Sequence, residues 1–407
     1  MRPEIAVTGL GLVTPAGNTA EENWAALCRG RSLAARDPEL DGLPVDFSCQ
    51  VTGFDAVGEL GRSQARRTDR FVQFAMVAAR RAVGNAGLDP STWRGERVGV
   101  VLGVGSNSLS TYVTEFCHLG AGQPERVSPL ALPRSVPNMA AGEVAIDLDA
   151  RGPNFTTASA CASGATAIGV ARDLLRSGTC DIVLTGGSES ARSRMTATCF
   201  TRMRALSRRG AEPHLASRPF DAARDGFVLG EGAAVLVLER LSHARARQAP
   251  VMALLRGYGA GSDAHHPVAP HPDGEGAARS IGAALQDAGC APRDIGLVNA
   301  HGTSTPLNDA AEAAALTRVF GLDVPPVTAS KGVIGHALGA AGAIQAAYTV
   351  LALRHQMVPP TANFQGQDGE HKLDVVAGAP RPTVKDAAIS CSFGFGGQNA
   401  VLLFTGP

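Results

Sequence analysis

Hydrophobic and polar positions along the 407-residue chain alternate between two kinds of segment. Short apolar runs are followed by longer runs in which apolar residues recur every three or four positions, the spacing of one helix face. The short runs predict strands over residues 5–9, 97–103, 181–186, 233–239, 251–257, 295–300, 387–392 and 400–404. The longer runs predict helices over residues 20–29, 70–86, 162–177, 275–288, 309–320 and 336–354. This alternation indicates a layered α/β fold with largely parallel, buried sheets.

Two sequence patterns occur once in each part of the chain. Thr-Ala-Ser at 157–159 and again at 328–330 precedes a helical run rich in Gly and Ala. A glycine-rich segment likewise precedes an Ala-Val-Leu strand in each part. Chance similarity in an alanine-rich chain is the alternative explanation. A real repeat predicts two similar α/β halves, residues 1–250 and 251–407, which meet near Pro250.

Residues 332–353 contain no Asp, Glu, Lys or Arg over 22 positions, a length that could cross a bilayer. The run also holds four glycines, His336 and Gln345, and few large apolar residues. We therefore predict a buried helix in a globular core and no membrane span. Membrane insertion is the less favoured alternative.

Composition narrows the classes of function. Lys+Arg and Asp+Glu both number 37, so the formal net charge is zero. A neutral chain gives no sign of binding nucleic acid or an anionic membrane. The eight cysteines are widely spaced and form no C-x-x-C pair, which favours reduced thiols and a cytoplasmic protein. We expect neither a metal nor a cofactor.

Cys161 is the first candidate for chemistry. It follows extended, β-branched residues that give way to small ones, and no charged residue occurs from 152 to 171. A cysteine at a helix N-terminus faces free N–H groups and the positive end of the helix dipole. We therefore expect a lowered thiol pKa and an oxyanion hole for a thioester carbonyl. A core cysteine that packs like alanine is the alternative.

Two histidines and a lysine follow in the C-terminal part. His301 is predicted at the carboxyl end of a buried strand, where α/β folds place ligands, and Asp309 and Glu312 begin the next helix. Lys331, one of three lysines, is predicted on a turn. His336 is predicted to open a Gly/Ala helix, where the dipole favours a neutral imidazole that can donate to an enolate. Hydrogen-bonded structural histidines and dipole-compensating acids are the alternatives.

The segment Phe393-Gly394-Phe395-Gly396-Gly397 alternates bulky side chains with mobile backbone. This pattern suits a gate beside a pocket, and a glycine-rich turn between strands is the alternative. One cysteine, two histidines and one lysine in charge-poor settings together indicate thioester chemistry. In such chemistry a thiolate attacks an acyl group, and imidazoles stabilise the developing oxyanion or enolate.

These segments resemble the elongating β-ketoacyl-acyl carrier protein synthases, or ketosynthases, of the thiolase-fold condensing enzymes. The resemblance extends from residues 7–17 at the start, through S-R-P-F-D-A-A-R-D-G-F-V-L-G-E-G at 217–232, to G-F-G-G-Q-N at 394–399. The resemblance covers the whole chain. It implies a thiolase-like five-layer α-β-α-β-α sandwich of two duplicated halves. The nucleophile would lie in the first half, 1–250, and the histidines and lysine in the second, 251–407.

The resemblance also implies a reaction. Cys161 would accept a growing acyl chain from an acyl carrier protein, and His301 and His336 would bind a malonyl thioester and promote its decarboxylation. The enolate would attack the acyl group, giving β-ketoacyl-carrier protein and carbon dioxide. The other implied roles are electrostatic support from Lys331 through Glu312, oxyanion donors in the N–H groups of Cys161 and Phe395, a gate at Gly394, Phe395 and Gly396, an acyl-pocket wall at Phe200, and a second gating loop at Asp263 and His266.

The resemblance implies partners as well. Acyl carrier proteins are acidic, and Arg66, Arg67 and Arg204 fall where the family has carrier-contacting cations. Solvated arginines are the alternative at each position. The family is usually dimeric, so we expect either a homodimer or a heterodimer with a cysteine-lacking chain-length-factor paralogue. Because this chain retains Cys161, it is identified as the catalytic member of such a pair.

The chain departs from the family pattern at a few positions. The family often has Thr where this chain has Gln398 and Ile334. With Gly332, these residues resemble ketosynthases of polyketide or polyene pathways more than those of bulk fatty-acid synthesis. Fatty-acid synthesis is the alternative pathway.

Three other functions are less well supported. A nucleotide-dependent oxidoreductase would use Gly9-x-Gly11 or Gly103-x-Gly105, but both lack the third glycine. A degradative thiolase would need a second reactive cysteine in a C-terminal C-x-G, which Cys391-Ser392-Phe393 does not supply. A non-catalytic partner subunit would not need the intact Cys161.

Overall fold

The computed structural model describes residues 3–106, 109–383 and 385–407. Within these residues the strands are β1 (Ile5–Val13), β2 (Ala35–Arg36), β3 (Phe47–Ser48), β4 (Val98–Gly103), β5 (Asn154–Thr157), β6 (Ile182–Glu189), β7 (Gly232–Arg240), β8 (Ala253–Ser262), β9 (Ile295–Asn299), β10 (Val327–Thr328), β11 (Met357–Val358), β12 (Arg381–Pro382), β13 (Ala387–Gly394) and β14 (Gln398–Thr405). The helices are α1 (Ala20–Arg29), α2 (Ala56–Arg67), α3 (Arg70–Asn85), α4 (Leu109–Gly120), α5 (Ala131–Ser135), α6 (Met139–Asp147), α7 (Ser163–Arg176), α8 (Arg194–Arg202), α9 (Leu241–Ala246), α10 (Glu275–Ala288), α11 (Pro306–Phe320), α12 (Lys331–Ile334) and α13 (Ala341–His355).

A mixed ten-stranded sheet runs through the molecule in the order β10-β9-β13-β14-β8-β1-β7-β6-β4-β5. From its middle outward it consists of two halves with the same order, β1-β7-β6-β4-β5 and β8-β14-β13-β9-β10. Antiparallel pairing of Ile5, Ala6 and Val7 with β8 joins the halves. The topology therefore shows the duplication that the repeated tripeptides indicated. The boundary between residues 250 and 251 stays a prediction; it lies between α9 and β8.

The expectation of largely parallel sheets is wrong. Strands at the outer end of each half pair in parallel, β6-β4-β5 and β13-β9-β10. Strands near the join pair antiparallel throughout. Strands β13 and β14 are antiparallel because only three residues, Phe395–Gly397, connect them. So short a connection allows a hairpin but not the crossover that parallel strands need.

Five layers follow from how the helices contact the sheet. Helices α3 and α6 cover one outer face, and α10 and α11 cover the other. Helices α7 and α13 lie between the halves, where each contacts strands of both. This arrangement confirms the α-β-α-β-α sandwich.

Small residues allow the two central helices to touch. A Cβ added to Gly164 of α7 would lie 2.7 Å from the backbone nitrogen of Ala343, and one added to Gly342 of α13 would lie 2.8 Å from that of Ala165. The two glycines therefore occupy matching positions in one reciprocal contact, which holds the halves at backbone distance.

The charge-free run 332–353 is buried, as predicted. It forms α12, a turn that includes Leu338–Ala340, and α13, and its side chains pack in the main hydrophobic core. Among the described residues, no helix combines the length and apolar character needed to cross a bilayer.

Candidate active site

A tight turn, Ala160–Ala162, carries Cys161 between the end of β5 and the start of α7. The Ser163 hydroxyl braces this turn: it donates to the Ala160 carbonyl at 2.6 Å and accepts the N–H of Ser159 at 2.9 Å. Ala160 has a φ of +48°. That left-handed conformation costs an L-residue about 1 kcal/mol, so the surrounding hydrogen bonds must hold it.

Cys161 faces a cavity of about 300 Å³ with largely apolar walls, to which both halves of the chain contribute. The predicted site residues that line it are Cys161, Phe200, Arg204, Asp263, His301, His336, Gly394 and Phe395. Of the remaining described candidates, Glu312 and Lys331 lie behind the wall, and Gly396, Arg66, Arg67 and His266 are not among the lining residues.

Burial raises the pKa of the Cys161 thiol to about 11. The charge of Lys331 and the backbone N–H groups of Phe395 and of Cys161 itself oppose this rise. The expectation of a lowered pKa is therefore wrong for the resting protein, because removal from water outweighs the nearby charge and N–H groups. The same two N–H groups lie close to the sulfur, so both are candidates to bind the carbonyl oxygen of a thioester formed on it.

His301 directly follows Ala300 and the end of β9, and it is buried. One carboxylate fixes its backbone: Glu312 accepts the N–H of His301 at 2.7 Å and that of Gly302 at 2.8 Å. The Lys331 ammonium donates to the His301 carbonyl at 2.6 Å and lies 3.3 Å from Nδ1. Because an ammonium only donates, Nδ1 accepts and Nε2 carries the imidazole proton.

Lys331 and Glu312 support His301 from behind without an ion pair between them among the described contacts. The third partner of Lys331 is Oε1 of Gln345, at 2.5 Å. The Gln345 amide in turn donates to the carbonyl of Ala300 at 2.7 Å. Burial lowers the pKa of Lys331, opposed by the charge of Glu312, and burial raises the pKa of Glu312, opposed by the N–H of Gly302.

His336 is held by backbone on both sides. The backbone N–H of His336 donates to the carbonyl of Val228 at 2.8 Å, and the backbone carbonyl of His336 accepts the N–H of Gly230 at 3.0 Å. Nδ1 accepts the N–H of Leu338 at 3.2 Å, so Nε2 again carries the proton. The two imidazoles meet edge to face, with ring centroids 5.5 Å apart. Burial, reinforced by the charge of Lys331, lowers the pKa of both histidines well below 6.5, so both are neutral at pH 7.

The turn between β13 and β14 packs against the nucleophile. A Cβ on Gly394 would lie 2.8 Å from the carbonyl oxygen of Ser159, so only glycine fits there. Gly396 has a φ of +78°, which also favours glycine. Between them, the Phe395 ring contacts the ring of Phe200 at an interplanar angle of 55°, with centroids 6.1 Å apart. These contacts place the predicted gate and the predicted pocket wall on one side of the thiol.

The loop that contains Asp263 and His266 contacts the same turn. Asp263 accepts the amide of Asn399 at 2.7 Å, and the N–H of Gly396 donates to the carbonyl of Pro267 at 2.7 Å. His266 is exposed, and its Nδ1 accepts two N–H groups of its own loop. The two predicted gating segments are thus joined by hydrogen bonds, with Asp263 at the cavity and His266 at the surface.

The predicted carrier-contacting arginines lie in different settings. Arg204 is exposed at the rim of the cavity, two residues after the end of α8. Arg66 is exposed near the end of α2, and neither residue forms an ion pair with another described residue. Arg67 is bound instead to Glu143 of α6 at 2.8 Å, which gives it a structural contact.

Sequence reasoning missed two buried polar side chains of this region. Gln345 connects Lys331 to the end of β9, and it is the one amide in the charge-free run 332–353, a signal that could have found it. Glu189, the last residue of β6, receives hydrogen bonds from two glycine N–H groups. A carboxylate at the end of an otherwise apolar buried strand was the available signal.

Comparison with known proteins agrees with this geometry. The model of the beta-ketoacyl synthase N-terminal domain matches residues 2–244, and the model of the C-terminal domain matches residues 252–365. A 3-oxoacyl-[acyl-carrier-protein] synthase 2 from a Synechocystis species is 41% identical over 407 residues, covering 99% of this chain and 98% of the relative.

Solved structures give the same result in three dimensions. The ishigamide ketosynthase/chain length factor superposes with a TM-score of 0.94 at 34% identity, covering 100% of both chains. AntDE:AntF, described as a type II PKS acyl-carrier protein in complex with its ketosynthase bound to the hexaketide, superposes with a TM-score of 0.90 at 30% identity, again covering 100% of both chains. Matched along both halves by domain models and over nearly its whole length by a relative, the chain belongs to the β-ketoacyl synthase family of acyl-transferring condensing enzymes.

Proposed function

We propose that the protein condenses an acyl group held on Cys161 with malonyl-acyl carrier protein, releasing carbon dioxide and β-ketoacyl-acyl carrier protein. One observation carries this proposal. A single cavity unites a thiol, two N–H groups that reach its sulfur, and two neutral histidines with their Nε2 protons free of other described partners. Decarboxylative condensation has a use for every group of this set.

The first half-reaction loads the enzyme. The sulfur of Cys161 attacks the carbonyl carbon of the acyl thioester, the bond to the carrier's sulfur breaks, and the thiol proton leaves with the carrier thiol. The N–H groups of Cys161 and Phe395 would bind the oxygen of the tetrahedral intermediate as it becomes negative. The apolar wall formed with Phe200 would hold the acyl chain out of water.

The second half-reaction makes the carbon–carbon bond. The malonyl carboxylate leaves as carbon dioxide, and the electron pair of the broken bond forms an enolate. Its oxygen would accept hydrogen bonds from Nε2 of His301 and of His336. The enolate carbon then attacks the acyl carbonyl, the bond to the sulfur of Cys161 breaks, and the sulfur takes up a proton from solvent. Lys331 and Glu312 would act only by holding His301 in this orientation.

For the pathway, we propose polyketide or polyene synthesis. The support is the departure from the family pattern at Gln398, Ile334 and Gly332, and the presence of an ishigamide ketosynthase/chain length factor and a type II PKS complex among the similar structures. Fatty-acid synthesis is the competing pathway, and the choice of acyl substrate separates the two. We also propose a cytoplasmic location, which the eight free cysteines support.

We propose a dimer whose interface includes β5 and the neighbouring helices. β5 is the terminal strand of the sheet, and large apolar side chains are exposed around it. These side chains are Val113, Phe116, Leu119, Leu132, Ile146 and Phe155. An apolar surface beside an open sheet edge is typical of a covered interface. Mass measurement after co-expression with a cysteine-lacking paralogue distinguishes homodimer from heterodimer.

Mass spectrometry of acyl-enzyme tests the proposed reaction. Incubation with acyl-carrier protein is expected to add one acyl mass to the peptide that contains Cys161, and malonyl-carrier protein should then discharge it as a product two carbons longer. Unsaturated or keto-bearing chains should load faster than saturated ones if the pathway is polyene or polyketide. Faster loading of saturated chains would assign fatty-acid synthesis, and failure to load any chain would refute the function.

Charge reversal at the cavity rim tests carrier docking. Arg204→Glu is expected to raise the KM for acyl-carrier protein about tenfold with little change in kcat, because it removes attraction without touching the reacting atoms. The matched control is Arg318→Glu, an exposed site about 16 Å along α11 from the cavity rim. An equal effect at both positions would indicate a general charge effect and exclude a dock at Arg204.

A further inference from the structure

A buried carboxylate near the cavity has no role assigned to it in the reaction proposed above. Glu189 ends β6 and is 2% exposed. It forms no ion pair with another described residue, and burial raises its pKa to about 7. Placing a carboxyl group in such surroundings costs free energy unless hydrogen bonds compensate for the lost water. Its hydrogen-bond partners therefore indicate what it holds.

The carboxylate connects three segments of the chain. Oε2 accepts the N–H of Gly105 at 2.9 Å and that of Gly339 at 3.3 Å, and Oε1 accepts the hydroxyl of Ser106 at 3.0 Å. Gly105 follows β4, and Gly339 lies in the turn Leu338–Ala340. These two glycines are in backbone contact, since a Cβ on Gly339 would lie 2.0 Å from the nitrogen of Gly105. Glu189 thus fastens the turn to the ends of two neighbouring strands.

The same turn sets the orientation of His336. Leu338 has a φ of +42°, a strained conformation for a leucine. In that conformation its N–H donates to Nδ1 of His336, while the next N–H along the chain, that of Gly339, donates to Glu189. A turn released from Glu189 would relax, and the hydrogen bond that leaves the proton on Nε2 of His336 would weaken.

We propose that Glu189 is a positioning residue for His336, and that it serves the decarboxylation half-reaction rather than the loading of Cys161. This inference rests on the proposed function, because it assigns His336 to enolate stabilisation. It predicts an unequal effect on the two half-reactions. A merely structural contribution would lower both together.

Two substitutions of Glu189 test the proposal. Glu189→Leu has a similar volume but no acceptor, and we expect it to slow malonyl decarboxylation at least tenfold while acyl transfer to Cys161 stays within twofold of wild type. Glu189→Gln should restore decarboxylation to within about threefold, since the amide oxygen can accept both glycine N–H groups while its NH₂ donates to the Ser106 hydroxyl. The matched control is Ser106→Ala, which removes a partner of Oε1 and leaves the contact with Gly339.

Nitrogen-15 NMR of histidine-labelled protein gives a second measurement that does not depend on turnover. Wild-type His336 should show a protonated Nε2, and Glu189→Leu should shift it toward a mixture of tautomers. If Glu189→Leu does not fold, Glu189→Met, which also lacks an oxygen acceptor, replaces it in both measurements with the same expected results. Equal loss of both half-reactions, or an unchanged His336 spectrum in the variant without the acceptor, would overturn the proposal. A wild-type enzyme that does not decarboxylate malonyl-carrier protein would instead refute the proposed function.

Discussion

Replacing Cys161 with alanine is expected to reduce condensation by at least about 10⁴-fold, because no other group would carry the acyl chain. The fold should survive, since the substitution removes one sulfur atom from a side chain that is partly open to the cavity. The expected loss in the free energy of unfolding is about 1 kcal/mol or less. Radiolabelled acyl transfer to the protein, together with a thermal melt, measures both effects.

The matched control for this substitution is Cys199→Ala. Cys199 is an exposed thiol on α8, and its loss should leave transfer unchanged. Covalent acylation that persists in Cys161→Ala at the wild-type rate would place the nucleophile elsewhere. Loss of transfer in both variants would point to damage near α8 and leave the assignment of Cys161 unsupported.

The raised pKa of Cys161 predicts a particular pH dependence. Only the thiolate reacts with iodoacetamide, and below the pKa its fraction grows about tenfold per pH unit. With a pKa of about 11, the alkylation rate of Cys161 should keep rising from pH 7 to pH 10 without a plateau. A plateau below pH 8 would show that stabilisation of the thiolate at the helix N-terminus outweighs the effect of burial on the pKa of Cys161.

Removing either imidazole is expected to give the second large effect. His301→Ala and His336→Ala should each slow release of carbon dioxide from malonyl-carrier protein by about 10²- to 10³-fold, the usual cost of losing one oxyanion donor. Loading of Cys161 should be much less affected, because the donors for that step are N–H groups of the backbone. Separate assays of carbon dioxide release and of acyl transfer distinguish the half-reactions.

His336→Asn provides the informative control, since its amide keeps an N–H donor near the position of the imidazole. We expect it to retain more decarboxylation than His336→Ala.

Because the pKa of both histidines lies well below 6.5, lowering the pH from 7.5 to 6.5 should leave both neutral and the decarboxylation rate nearly unchanged. Normal decarboxylation in both alanine variants would refute the enolate roles.

Long periodic segments were predictable from the sequence. Each predicted strand and helix overlaps an observed element, and α1 and α10 have the predicted bounds. The direction of strand pairing was not predictable, because β1 is buried along its whole length and its pattern carries no mark of parallel or antiparallel neighbours. Short elements such as β5 and β10 were missed because two to four residues cannot show a period.

The site was predictable in its residue types and less so in its electrostatics. The sequence predicted a neutral imidazole at His336, and the lowered pKa of His336 agrees with this, but the cause differs. Burial is the main cause of the lowered pKa of His336. The predicted helix dipole is not the cause, because α13 begins only at Ala341, five residues after His336. The predicted direction of the pKa shift at Cys161 was wrong for the same reason. The groups that exclude water from Cys161, Phe395 among them, lie far from it along the chain, so the local sequence cannot show this burial.

The reciprocal contact of Gly164 and Gly342 limits how the amino-acid sequences of the two duplicated halves can evolve. The thiol belongs to one half and both imidazoles to the other, so the spacing of the reacting groups depends on the approach of α7 to α13. A methyl group added at either glycine would force the halves apart and change the spacing between the thiol and the imidazoles, although no catalytic residue had been replaced. A larger residue at this contact in one half therefore preserves activity only if the other half also changes there to accommodate it.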